Sequence, residues 1–102
     1  MLSVNDRELA ERTSTEWHNK KVPLGYGLSI ETARAWGLYV SNGVNDKEPT
    51  QFVEPGLFVI RPDGTLYASS LQTMPFARPH TETLLKSLDW ILQNDYPARG
   101  EA

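Results

Sequence analysis

Apolar residues recur at helical spacing in the first part of the chain. Leu9, Thr13 and Trp17 follow one another at four-residue intervals, with charged residues between them. This period predicts an amphipathic helix, and Asn5 is its predicted N-terminal cap. Residues 2–4 alternate between apolar and polar side chains, which predicts a short strand ahead of the helix.

A second, shorter helix is predicted between Ser29 and Trp36. The Ser29 hydroxyl suits the N-terminal cap, and Gly37 suits the left-handed position that ends a helix. Residues 38–40 are then predicted to be extended. Residues 41–51 are mostly polar and include Gly and Pro, which predicts a surface loop.

The strongest strand signal is the apolar run at residues 56–60. Pro62, Asp63 and Gly64 follow it. They predict a tight turn, because proline fixes φ and glycine accepts the left-handed conformation. Residues 65–71 are the predicted return strand of a β-hairpin.

The last helix has the most regular apolar stripe in the chain. Its apolar residues repeat at the spacing of a helix that lies on a sheet, and Pro79 suits its first turn. The stripe consists of Leu84, Leu85, Leu88, Ile91 and Leu92. We expect this stripe to pack on the hairpin, and residues 95–102 to form a flexible tail.

Length and charge narrow the classes of protein that fit. The chain has 102 residues, which predicts one domain over residues 1–102, with Trp17, Trp36 and Trp90 in its core. Its net charge is -3 without a basic stripe, so we expect no nucleic-acid partner. No apolar run approaches the roughly 20 residues of a bilayer span. A soluble, cytoplasmic protein without a membrane partner is predicted.

The residue types also limit the chemistry. The chain has no cysteine, which excludes disulfides and thiol nucleophiles within it. Its two histidines, His18 and His80, lack the spacing of metal-binding motifs. We therefore expect no metal site, no cofactor and no catalytic residue in this chain.

Two short segments resemble motifs of a known family. They are Pro55-Gly56-Leu57-Phe58-Val59-Ile60-Arg61 and Met74-Pro75-Phe76-Ala77-Arg78. In the same order, the alkyl hydroperoxide reductase and thiol-specific antioxidant family, the peroxiredoxins and their relatives, has Arg-Gly-Leu-Phe-Ile-Ile-Asp and Leu-Pro-Val-Gly-Arg. With the predicted order of strand, helix, helix, hairpin and helix, the resemblance covers essentially the whole chain. It implies an α/β fold that is a partial thioredoxin-like (redoxin) domain.

The resemblance leaves out the part of the family's domain that carries the chemistry. The first core strand, the first helix and the active-site cysteine motif have no counterpart in the chain. Because the family reduces peroxides or disulfides through that thiol, the resemblance implies a truncated or split redoxin that is inactive alone. The alternative is a non-catalytic thioredoxin-like interaction module that dimerises through an open sheet edge.

The resemblance assigns two residues to the support of a substrate or thiol site. Pro55 stands where peroxiredoxins have an arginine, and it resembles the cis-proline of thioredoxins. A cis Glu54–Pro55 bond would present backbone groups to a thiol, whereas a trans proline would only open an edge strand. Arg78 resembles the second active-site arginine of the family, and the alternative is a solvated cation before the last helix.

Two further features favour a structural interpretation over a functional one. His80 is expected to be an exposed polar residue in the first turn of the last helix. Gly25-Tyr26-Gly27 can present amide groups to an anion, but it lacks the third glycine of the dinucleotide fingerprint and is expected to be a plain loop.

The missing strand also has a consequence for partners. In the parent fold it lies between the strands that correspond to residues 2–4 and 56–60. Without it both strands keep an open edge, and each backbone group buried there without a partner costs about 1–3 kcal/mol. We therefore expect either a homodimer or association with a complementing N-terminal half.

Overall fold

The computed structural model describes residues 1–17 and 21–100, so the predictions for His18 lie outside the described residues. The fold is mixed α/β. Within those ranges it has three α-helices and two small antiparallel sheets of two strands each. Contacts divide the chain into two compact units, Met1–Glu54 and Pro55–Ala102.

The first unit begins with helix α1, Arg7–Glu16. Its N-terminal cap is Asp6, whose Oδ1 accepts a hydrogen bond from the Leu9 amide at 2.9 Å. The prediction of Asn5 as the cap is therefore wrong by one residue. The Asn5 amide donates instead to the Ser3 hydroxyl at 3.1 Å. A negatively charged aspartate at the N-terminus of a helix also interacts favourably with the helix dipole.

The predicted strand at residues 2–4 pairs at one position. Leu2 forms an isolated parallel bridge with Gly25, in which the Gly25 amide donates to the Met1 carbonyl at 2.8 Å. The ladder does not continue beyond Gly25, because Gly27 turns the chain with a φ of 73° and its amide donates to the Asn5 carbonyl. A full strand here was the wrong prediction.

Helix α2, Ile30–Ala35, confirms both predicted ends. The Thr32 amide donates to the Ser29 hydroxyl at 3.0 Å, and Gly37 has a φ of 79°. Strands β1, Val40–Asn42, and β2, Gln51–Val53, follow and pair in antiparallel register. This pairing was not predicted. It places residues 41, 42 and 51 of the predicted surface loop in strands, so the loop is shorter than predicted.

The second unit contains the predicted hairpin. Strands β3, Gly56–Ile60, and β4, Leu66–Leu71, are antiparallel, with a register irregularity between Val59 and Ile60. In the turn, the Asp63 carboxylate accepts hydrogen bonds from the Thr65 amide at 2.9 Å and the Thr65 hydroxyl at 2.7 Å. Gly64 has the predicted left-handed conformation, with a φ of 87°.

Helix α3, Thr81–Asn94, follows a single 3₁₀ turn at Pro75–Ala77. Its N-terminal cap is His80, so Pro79 precedes the helix and does not lie in its first turn. The predicted apolar stripe is only partly covered, because Leu84, Leu88 and Ile91 are half-buried.

The other two members of the stripe, Leu85 and Leu92, are exposed, Leu92 to 79%. After α3, the Tyr67 hydroxyl of β4 donates to the Tyr96 carbonyl at 3.1 Å, and the Tyr96 ring lies 5.4 Å from that of Trp90. These contacts connect the end of the helix to the hairpin.

The buried core is very small. In the described part of the chain, Ala10 and Ala33 are the two buried apolar residues. The prediction that the tryptophans form the core is wrong, because Trp17 is 65% exposed and Trp36 and Trp90 are each about half exposed. In the described residues no other helix or strand packs closely over α1 or α3, so Trp17 and Trp90 are not enclosed.

Candidate functional site

Pro55 and Arg78, the two residues that the sequence assigns to a site, line the same cavity. The cavity belongs to the second unit and has a volume of about 200 Å³. Its lining comes from the start of β3, the end of β4 and the segment before α3. The lining residues are Pro55, Gly56, Leu57, Ser70, Gln72, Arg78 and Pro79.

The hairpin holds Pro55 in place at one wall of the cavity. The Gln72 amide donates to the Pro55 carbonyl at 3.2 Å, one step beyond the pairing of Gly56 with Leu71. The Glu54–Pro55 peptide bond is trans, since the described residues contain no cis peptide bond. Of the two alternatives at this bond, the trans proline is therefore the one present, and Pro55 directly precedes β3, a position in which a sheet tolerates proline.

Arg78 is exposed and lines the cavity from the short segment that links the hairpin to α3. The 3₁₀ turn closes with a hydrogen bond from the Ala77 amide to the Met74 carbonyl at 3.2 Å. Arg78 then has an extended backbone, with φ of -73° and ψ of 145°. Within residues 1–17 and 21–100 no hydrogen bond or ion pair engages its guanidinium.

The cavity offers one cation among apolar and neutral polar groups. A guanidinium without a counter-charge binds carboxylates, phosphates and other anions well, because its planar donors match their oxygens. The only hydroxyl in the lining is that of Ser70, and no base lines the cavity to activate it. The arrangement can therefore bind and orient an anionic group, but it supplies no nucleophile.

A second cavity, of about 250 Å³, lies in the first unit. Met1, Leu2, Ala10, Trp17 and Leu24 supply most of its apolar lining. No sequence pattern indicated this cavity, because it depends on the bridge that brings the start of the chain against residues 23–25. It contains no side chain that titrates near neutral pH.

The remaining candidates carry no site. The Gly25 and Gly27 amides donate to the carbonyls of Met1 and Asn5, so they are not free to bind an anion. His80 is exposed, and its side chain makes no capping hydrogen bond.

The described ranges contain no group of three His, Cys, Asp or Glu residues that could hold a metal ion. None of their helices has the length and apolar character that a bilayer crossing requires. Comparison with family models, with curated proteins and with solved structures gave no match to this chain.

Proposed function

We propose that this chain contributes the hairpin-and-helix part of a redoxin of the alkyl hydroperoxide reductase and thiol-specific antioxidant family. It acts in the thiol-dependent reduction of peroxides or disulfides, together with a segment that carries the first strand, the first helix and the cysteine. The observation that carries the proposal is the shared cavity of Pro55 and Arg78. These two residues are 23 positions apart, and the resemblance had assigned both to one site.

The chemistry of the cavity agrees with such a role. The nucleophile in redoxin chemistry is a thiolate, and a nearby guanidinium favours the thiolate over the thiol. Arg78 has no counter-charge in the described part of the chain, so its charge is available to a thiolate placed in the cavity. In this proposal Arg78 is a positioning residue, and Pro55 forms part of the cavity wall.

The burial of β3 supports a missing neighbour of the kind that the resemblance implies. Leu57, Phe58 and Val59 are consecutive, and all three are only half-buried. A continuous apolar run of this kind is typical of a strand whose two faces are both covered. A further strand with its helix would supply that cover.

The proposal is tested by complementation. The chain is mixed with a polypeptide that consists of the first strand, first helix and active-site cysteine loop of a peroxiredoxin. Hydrogen peroxide consumption is then followed with dithiothreitol as the reductant. We expect turnover only in the mixture, and we expect Arg78→Ala to lower kcat/KM about tenfold or more, which is about 1.4 kcal/mol of lost stabilisation.

Arg99→Ala is the matched control, because Arg99 lies in the same unit but outside the cavity and donates to the Tyr96 hydroxyl at 3.2 Å. A second measurement isolates positioning from folding: the rate of thiol alkylation against pH gives the thiol pKa in each mixture. Arg78→Ala should raise that pKa and Arg99→Ala should not. An unchanged thiol pKa in a bound mixture would refute the role of Arg78.

A further inference from the structure

Strand β3 has one paired edge and one open edge. Within the described residues β3 pairs with β4 alone. The Gln72 amide bonds to the Pro55 carbonyl, and the Arg61 amide to the Thr65 carbonyl. Pro55 and Gln72 therefore form one hydrogen-bonded pair, and Arg61 and Thr65 form another. Hydrogen-bonded and non-hydrogen-bonded pairs alternate along an antiparallel ladder, so the amide and carbonyl groups of Gly56, Phe58 and Ile60 point away from β4.

This open edge is complementary to itself. A two-fold axis through Phe58 places two β3 strands antiparallel, with Phe58 opposite Phe58 of the second copy and Gly56 opposite Ile60 of the second copy. Every outward amide then meets an outward carbonyl. The Ile60 side chain, which is 56% exposed, comes to lie over a glycine, which has no side chain to obstruct it.

The edge lacks the usual protection against pairing. Natural edge strands carry lysines, inward-pointing charges or prolines that block a second chain. Strand β3 contains no charged residue and no proline between Gly56 and Ile60. Two copies therefore meet along this strand without like-charge repulsion.

We propose that two copies of this chain pair through the open edge of β3, antiparallel and centred on Phe58, to form a continuous four-stranded sheet. The pairing needs no thiol-bearing segment, so it goes beyond the proposed function. It uses the edge that such a segment would occupy, and the two states therefore exclude each other.

The absence of cysteine allows a register-specific test. Phe58→Cys places two thiols across the two-fold axis, where the Cα atoms of a hydrogen-bonded pair are about 5.5 Å apart, within disulfide reach. Ser69→Cys is the matched control on β4, opposite Phe58 in the same hairpin. Its two copies would lie three strand spacings apart, about 14 Å, which is too far for a disulfide.

Sedimentation of the unmodified chain at micromolar concentration should show a dimer. With oxidised glutathione, Phe58→Cys should form a covalent dimer and Ser69→Cys should not. A monomer would overturn the proposal, and so would a dimer in which Cys at position 69 cross-links and Cys at position 58 does not. Failure of the complementation experiment would leave this result intact, because no thiol partner is present.

Gly56→Pro provides a second variant that keeps the hairpin. It removes an outward amide hydrogen and leaves the ladder between β3 and β4 unchanged. Circular dichroism checks that the fold is retained. The dimer dissociation constant should rise about tenfold or more, because two hydrogen bonds are lost by symmetry. An unchanged dissociation constant in a folded variant would overturn the proposed edge.

Discussion

Single polar side chains fix the ends and turns of this molecule. Asp6 and Ser29 cap α1 and α2, and Asp63 closes the turn of the β3–β4 hairpin through two hydrogen bonds from Thr65. Each of these bonds joins residues two or three positions apart. They therefore form without help from the rest of the fold.

The Asp63 turn predicts a titration. Hydrogen bonds from the Thr65 hydroxyl and amide hold the pKa of Asp63 below its ordinary value of 3.8. The ionised carboxylate therefore stabilises the hairpin above that value, and this contribution is lost as the pH falls through the lower pKa of the folded state. Carbon-detected NMR titration should place the Asp63 midpoint below 3.8.

Thr65→Val tests the cause of that shift. It removes the hydroxyl donor and keeps the amide donor, so the Asp63 pKa should rise toward its ordinary value. Thr50→Val, in the loop before β2, is the control and should leave the midpoint in place. A midpoint that Thr65→Val does not move would contradict the assignment.

Among the helices and strands, α3 is only partly covered by the rest of its unit. One side of its stripe is half-buried and the other is exposed. The helix is held near its end by the Tyr67–Tyr96 hydrogen bond and the contact of Tyr96 with Trp90. Its remaining apolar surface is open to a partner or to water.

This division predicts unequal effects along the stripe. Truncation of a fully buried leucine to alanine lowers the free energy of unfolding by about 2–5 kcal/mol. Because Leu88 is only half-buried, Leu88→Ala should lower it by about 1–2 kcal/mol. Leu92→Ala, at an exposed position, should change the free energy of unfolding by less than about 0.5 kcal/mol. Urea denaturation followed by circular dichroism measures both. Equal losses would show that the stripe is covered on both sides.

In the molecule as a whole, many large apolar side chains of the described residues are exposed. Its largest side chains are exposed, and its buried core consists of alanines in the described residues. Folding stability comes mainly from apolar burial. A further chain that covered β3 and α3 would therefore add stability.

The composition of the whole chain predicts that it is catalytically inactive alone. It has no cysteine, and thiol-dependent peroxidase chemistry needs a thiolate. We expect no turnover of hydrogen peroxide with dithiothreitol or thioredoxin above a heat-treated control. Significant turnover would refute the assignment of the chemistry to a separate segment.

Elements with local signals could be predicted from the sequence. The Ser29 cap, the Gly37 stop, the hairpin turn at Asp63 and Gly64, and helix α3 all depend on residues within one or two turns of chain. The resemblance added Pro55 and Arg78 as residues of one site. It also suggested a cis bond at Pro55, which is trans.

Other features depend on residues that are far apart in the sequence, so local patterns could not predict them. The β1–β2 pair has three residues in each strand, too few for a periodic signal, and it forms because the chain folds back across the loop. The residue type alone does not determine whether the tryptophans are buried, because an aromatic side chain is enclosed only when enough chain packs around it. The cavity of Pro55 and Arg78 exists because the 3₁₀ turn brings the segment before α3 back to the start of β3.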